Sequence, residues 1–214
     1  MSRRPTELAE NRDRVVQTAS TVFRERGPDA PSVGDLMGAA GVTRATFYNH
    51  FGSRDDLLAE AISAAFDTNV ALMRAIGEAH PERPLTAIAD AYLSVGHRDS
   101  RGTGCPAAAF ASDTARQSEA PRASYAQGLL KLATLLDTFV KEASDEVPEA
   151  VPCPDAVRAS SAESLGDHSL AALASLVGAL TLARDVAQED PALSQRLLEV
   201  ARAQVRLLEA GHAA

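Results

Sequence analysis

The stretch GVTRATFYNHFGSRDDLL, Gly41 to Leu58, decides how this chain is read. Within eighteen residues it holds three aromatics, two arginines, a histidine and an asparagine, with no acid before Asp55. The whole chain of 214 residues has only 4% aromatic residues and a net charge of −8. Thr43 reads as a helix N-cap, which puts Val42 at N′ and Phe47 at N4, the pair that forms a hydrophobic staple. The spacing predicts a short helix over 44–50. Phe47 and Phe51, four apart, point inward. Ala45 and Asn49 take the opposite face, flanked by Thr46 and Tyr48, with Arg44 at the exposed N-terminal edge. That face carries hydrogen-bond donors, one small residue and no carboxylate. A helix entering a major groove needs this chemistry, because Asn and Arg read adenine and guanine through paired hydrogen bonds and a small residue permits close approach. Thr43, Tyr48, His50 and Arg54 fall where backbone phosphates would pass.

Upstream, Val15, Ala19, Val22 and Phe23 line one face of a helix over about 6–26, which Gly27-Pro28 stops. Ser32 and Asp35 form a capping-box variant. It opens a short second helix with Val33, Leu36, Met37 and Ala40 on its inner face. Gly41 ends that helix, so two short helices meet through a four-residue turn containing glycine, a helix-turn-helix. Gly34 and Gly38 each weaken the second helix by up to about 1 kcal/mol relative to alanine.

Downstream, Ser53 and Asp56 cap a long fourth helix reaching about Gly77. Prolines 81 and 84 break the chain before a fifth helix over about 85–96. A loop over 97–104 precedes a sixth helix from Pro106 and a seventh over about 121–143. Residues 145 to about 161, with three prolines, read as a mobile connection. Two strong helices close the chain, over about 165–187 and 191–210. Sparse β-branched and aromatic residues favour helices throughout, so the expected fold class is all-α with about nine helices.

Composition narrows function. No run of about 18 apolar residues is apparent, which predicts no membrane span, and the polar N-terminus lacks a signal-peptide apolar region, which predicts a cytoplasmic protein. Two cysteines, Cys105 and Cys153, make no disulfide framework. The five histidines lack ligand spacing with each other or with either cysteine, so neither metal nor cofactor is expected. The charge is uneven: residues 2–54 carry eight arginines against six acids, a balance of +2 that leaves −10 on the remainder. A small basic end on an acidic body still attracts phosphates, since surface fields act over a Debye length of roughly 8 Å.

The opening stretch closely resembles the signature of the TetR-type (TetR/AcrR-like) family of bacterial transcriptional regulators. The resemblance extends upstream through VFRERGPDAPSVGDLMGAAG and downstream to LVGALTLARDVAQEDPALSQRLLEVAR. It implies an all-helical homodimer, with residues 1–52 as a three-helix DNA-binding domain and 53–214 as a larger ligand-binding and dimerisation domain. Base contacts would fall on Arg44, Ala45 and Asn49, and phosphate contacts on Ser32, Thr43, Thr46, Tyr48, His50 and Arg54. The last two helices of each subunit would build a four-helix interface, here through Leu173, Leu176, Val177, Leu180, Leu197, Ala201, Val205 and Leu208. The penultimate helix agrees independently: with Leu170, Leu173, Leu176, Val177, Leu180 and Leu182 it has almost no polar side, and such a helix must be covered all round. The central helix of a monomeric bundle would satisfy the same pattern. An effector cavity, on the family's plan, would draw on Phe66, Met73, Tyr92, His97, Phe110, Tyr125, Phe139 and His168, although each residue type is more often plain core.

Pro106 at N1 makes Cys105 an N-cap. The helix dipole and arginines nearby in sequence lower a thiol's pKa, which makes Cys105 a candidate sensor of electrophiles or oxidants; the Gly-Cys-Pro pattern resembles that of a branch of the family. The alternative is a small buried residue beside the cavity. Cys153 reads as a loop residue, and a bond between the two is left open. The expected function is a dimeric sequence-specific DNA-binding regulator and not an enzyme: a repressor released from a palindromic operator by a small molecule or by an electrophile or oxidant. Its partners would be operator DNA, a second copy of itself and an unknown small-molecule effector. Two alternatives belong to other classes. A thiol enzyme using Cys105 needs a base that no histidine-cysteine pairing in the sequence supplies, and a helical protein-binding module would lack steep salt dependence.

Overall fold

The computed structural model describes residues 5–143 and 164–211. Among these residues there are ten α-helices and no strand. They are α1 (Pro5–Arg26), α2 (Val33–Ala39), α3 (Arg44–His50), α4 (Arg54–Glu78), α5 (Pro84–Tyr92), α6 (Val95–Asp99), α7 (Pro106–Thr114), α8 (Glu119–Ala143), α9 (Asp167–Val186) and α10 (Pro191–Ala210). The mobile connection expected over 145–161, and Cys153 with it, lies outside the described residues.

Local chemistry sets the ends of the first helices. α1 stops at Gly27, whose φ of +80° suits a residue without a β-carbon. Ser32 caps α2 through a complete capping box: its hydroxyl accepts from the Asp35 amide at 3.2 Å, and the Asp35 carboxylate accepts from the Ser32 amide at 2.8 Å. Gly41, at φ +67°, closes α2. The Gly41 amide donates to Gly38 O at 3.1 Å and the Val42 amide to Met37 O at 3.0 Å. These two bonds form a Schellman motif, so the turn of the helix-turn-helix is a helix C-cap with glycine in the left-handed position. Ser53 caps α4 by accepting from the Asp56 amide at 3.0 Å.

One helix departs from expectation. The fifth ends at Tyr92 rather than near Gly96, and α6 fills the start of the expected loop. Ser94 is the cause. Its hydroxyl accepts from the His97 amide at 3.2 Å, the N-cap to N3 geometry that starts a new helix.

The chain divides into two compact units. One comprises the described residues up to Asn69 together with Ser100–Leu129; the other comprises Val70–Asp99 and those from Leu130 onward. In the first, Val15, Ala19, Phe23, Leu36, Phe47, Phe51, Leu57 and Leu58 are buried. The ring of Phe66 on α4 lies against Gly128 on α8, where a β-carbon would come within 2.1 Å of it. In the second unit, α9 packs along α10, and both meet α5. There Phe139 on α8 lies on Gly77 of α4, and a β-carbon at Gly77 would come within 2.3 Å of its ring. α9 corrects one expectation, because it is long and apolar enough by composition to cross a membrane. Its apolar residues run round the whole helix, and one side of it is packed within the unit.

Candidate nucleic-acid interface

The geometry of α3 follows from its two aromatic anchors. Phe47 and Phe51 are buried with stacked rings 5.7 Å apart. Arg44, Ala45, Tyr48 and Asn49 stand on the outer side, all exposed, and Tyr48 shows 73% of its surface. No carboxylate interrupts that face.

The expected phosphate contacts divide. Ser32 is exposed, but its hydroxyl donates to the Asp35 carboxylate at 2.7 Å. Thr43 is the N-cap of α3 by backbone only; its hydroxyl meets that of Thr46 at 3.2 Å instead of capping the helix. Thr46 is buried, because in this short helix it falls beside Phe47 on the inner side rather than on the flank of the outer one. His50 is half-buried against the Phe51 ring, and its Nε2 has no hydrogen-bond partner among the described residues. Arg54 is turned inward. Its Nε and Nη2 donate to Pro31 O at 3.3 and 3.1 Å, Nη2 also donates to Pro28 O, and the guanidinium lies 5.4 Å from the centre of the Phe23 ring. It braces the α1–α2 loop against the start of α4.

Two residues that the sequence pattern did not single out shape this end of the molecule. Arg12 on α1 pairs with Glu60 at 2.6 Å, lies over the Phe51 ring at 5.3 Å, and shares a shallow depression with Ala9, Asn49 and His50. Arg26, with Arg44, surrounds Asp35. The Ser32 hydrogen bonds first, and then these two guanidinium charges, hold the Asp35 carboxyl below its usual range. Helical periodicity carries no signal for such pairings, which span 48 residues in the case of Arg12 and Glu60.

Comparison with known proteins places this geometry. Residues 15–61 match the family described as bacterial regulatory proteins, tetR family. The chain is 30% identical over 177 residues to the HTH-type transcriptional regulator Rv0196 of Mycobacterium tuberculosis, covering 81% of this chain and 84% of that one. The chain belongs to the TetR family. A shorter match, 33% over 63 residues, links it to the HTH-type transcriptional repressor KstR2 of Mycolicibacterium smegmatis, covering 29% of this chain and 31% of that protein. Among solved structures, Escherichia coli NemR in its reduced form aligns with a TM-score of 0.72 over 93% of this chain and 97% of that one, at 16% identity. A TetR transcriptional regulator from Chloroflexus aurantiacus aligns at 0.70, over 94% and 95%, at 22% identity. The last two likenesses concern the fold. As a TetR-family protein, the chain is a DNA-binding transcriptional regulator.

The residues expected to sense an effector lie in both units. In the first, Cys105 is the N-cap of α7 with Pro106 at N1, and it is fully buried. Phe66 meets Tyr125 edge-on at 5.6 Å, and the Tyr125 hydroxyl donates to Ala107 O at 3.0 Å. Burial, and then the nearby Cys105, push the Tyr125 hydroxyl up to about 12. Phe110 is fully buried. In the second unit, Met73, Tyr92 and Phe139 are buried, whereas His168 is exposed on the first turn of α9. The His97 ring packs edge-on to Tyr92, with Nδ1 2.6 Å from Tyr92 O. Burial lowers its pKa below the ordinary histidine value, and the Arg184 charge adds to that. Arg184 is itself buried and donates to the backbone oxygens of Arg98 and His97, at 3.0 Å each.

The expected dimer residues also divide. Leu173, Leu176, Leu180, Ala201 and Val205 are buried inside the single chain, and Val177, Leu197 and Leu208 are half-buried. The large apolar side chains that α9 and α10 expose are Leu170, Leu182, Leu193, Val200 and Leu207. The apolar stripe expected to meet a partner is thus mostly the stripe that holds α9 and α10 together.

Proposed function

We propose that this chain is a homodimeric cytoplasmic repressor that reads a palindromic operator with α3 and leaves it when a small molecule binds. One observation carries the reading: α3 is anchored from behind by two buried phenylalanines and presents Arg44, Ala45, Tyr48 and Asn49 outward with no acid among them. Arg44 and Asn49 read base edges, Ala45 permits close approach, and Ser32, Thr43, Tyr48 and His50 are the candidates for the flanking phosphates. Arg54 and Thr46 leave that set, since one is spent on backbone carbonyls and the other is buried. The exposed leucines of α9 and α10 support pairing with a second copy. Two-fold pairing sets two α3 helices roughly 34 Å apart, one turn of the duplex. The reading is regulatory, not enzymatic. The burial of Cys105 favours packing over sensing, because reactive thiols sit in partly exposed sites.

Selection from random DNA with the intact protein supplies an operator, and Asn49→Ala then tests the reading. The variant is expected to lose about 1–3 kcal/mol at that operator and to relax its preference at one base pair of each half-site. Unchanged affinity and preference would show that α3 does not read DNA through this face.

A further inference from the structure

The two glycines of α2 have different surroundings. A β-carbon at Gly38 would meet nothing within 4 Å. One at Gly34 would lie 3.6 Å from Nε and 3.7 Å from Nη2 of Arg44, and 3.5 Å from Oγ of Ser32. The Arg44 guanidinium therefore rests over the bare backbone of Gly34, and its charge reaches the Asp35 carboxylate, which is locked by the Ser32 cap. From the structure we infer that Gly34 is a positioning residue for DNA recognition. By lacking a side chain it leaves a seat on α2 in which the Arg44 guanidinium is held ready before the duplex arrives.

The physical case rests on flexibility. A free arginine side chain on a helix surface samples many rotamers and loses that freedom on binding. A planar guanidinium laid against backbone, with a carboxylate at hand, has already lost part of it. The glycine costs α2 helix stability, and the seat is what a side chain larger than a methyl there would take away. The inference rests on the assignment of Arg44 to the reading face, and the experiment separates the two.

Gly34→Ala, Gly34→Leu, Arg44→Ala and the Gly34→Leu/Arg44→Ala pair are titrated against the selected operator, with thermal unfolding to show that each variant folds. A methyl at Gly34 makes ordinary contact with Arg44, so Gly34→Ala is expected to bind within about twofold of the parent. The branched side chain of Gly34→Leu needs the space of the guanidinium and is expected to weaken binding about tenfold. In the Arg44→Ala background the same leucine is expected to cost less than about twofold, since there is no guanidinium left to displace. A purely structural role for Gly34 would give equal losses in both backgrounds, and that result would overturn the inference, as would full affinity in Gly34→Leu. If Arg44→Ala alone bound normally, the assignment of Arg44 would fall and the inference with it. A loss in Arg44→Ala with additive effects would sink only the seat.

Discussion

Arg54 is bonded to Pro31 twice, with Nε 3.3 Å and Nη2 3.1 Å from the same carbonyl oxygen, while its guanidinium lies over Phe23. The phosphate contact expected of this residue, on the first turn of α4, needs a guanidinium that faces outward. Here it is a brace within the first unit. Arg54→Ala is expected to lower stability by about 1–2 kcal/mol, through lost charged hydrogen bonds and the lost ring contact. Lysine should not restore it, since a single ammonium cannot span two carbonyls and lie flat on a ring. The dependence of operator binding on salt discriminates: a brace leaves the log-log slope unchanged, whereas a phosphate contact would reduce it by about 1.

The glycines of the long helices carry opposite signs from an exposed one. Gly128 and Gly77 each have a phenylalanine ring where a β-carbon would stand, 2.1 and 2.3 Å away. Gly128→Ala and Gly77→Ala are each expected to destabilise by about 1–3 kcal/mol through overpacking, which outweighs the helix propensity gained. Gly38→Ala, with open space around it, is expected to stabilise by up to about 1 kcal/mol. Urea unfolding of the three single variants measures all of these. A stabilised Gly128→Ala would show that the ring of Phe66 gives way without cost.

These pairs show what the sequence does and does not convey. The caps at Ser32 and Ser53, the stop at Gly27 and the turn at Gly41 rest on bonds between residues a few positions apart, so they are legible in the residue order. So is the two-sided character of α3, because a seven-residue helix with two phenylalanines four apart has little choice of face. The Ser94 cap was equally local and was hidden only by the apolar run around it. Phe66 on Gly128, Arg54 on Pro31 and Arg184 on the end of α6 join residues 23 to 87 positions apart. No periodicity announces them. The dimer stripe divides for a related reason: an all-apolar helix says that it is covered, and leaves open which leucines its own chain covers.

Asp137 on α8 holds the start of α9. Its Oδ1 accepts from the Gly166 amide at 2.9 Å and the Ser169 hydroxyl at 3.0 Å, and its Oδ2 pairs with Lys141 at 2.6 Å. Burial pushes this carboxyl up, but the bonds from Lys141, Gly166 and Ser169 outweigh it, so its pKa lies below the ordinary aspartate value. A carboxyl depressed in the folded state adds stability that is complete above its unfolded pKa, about 3.9, and is lost as pH falls through the folded value. Asp137→Asn is therefore expected to cost about 1–3 kcal/mol near neutral pH. The gap between parent and variant should close below about pH 3.9 as the parent's carboxyl takes up its proton. A gap that is constant with pH would mean that the Asp137 charge contributes nothing.

The exposed side of α10 carries Leu193, Val200 and Leu207 seven residues apart, with Leu197 and Gln204 between them, the spacing of a coiled-coil seam. Beside it, α9 exposes Leu170, Ala171, Ala174, Gly178 and Leu182, small and apolar enough for close approach of a second helix pair. If two copies pair through these faces, Val200→Glu and Leu207→Glu bury a charge only in the dimer. Each is expected to shift sedimentation from dimer to monomer and to weaken operator binding, since two linked half-site contacts become separate ones. Val205, fully buried between α10 and its own chain, gives the opposite pattern. Val205→Ala should lower the stability of the single chain by roughly 1–3 kcal/mol and leave its exposed face intact. Charged variants that still sediment as strong dimers would place the partner on some other surface, and the two-fold spacing of the α3 helices would then lose its basis.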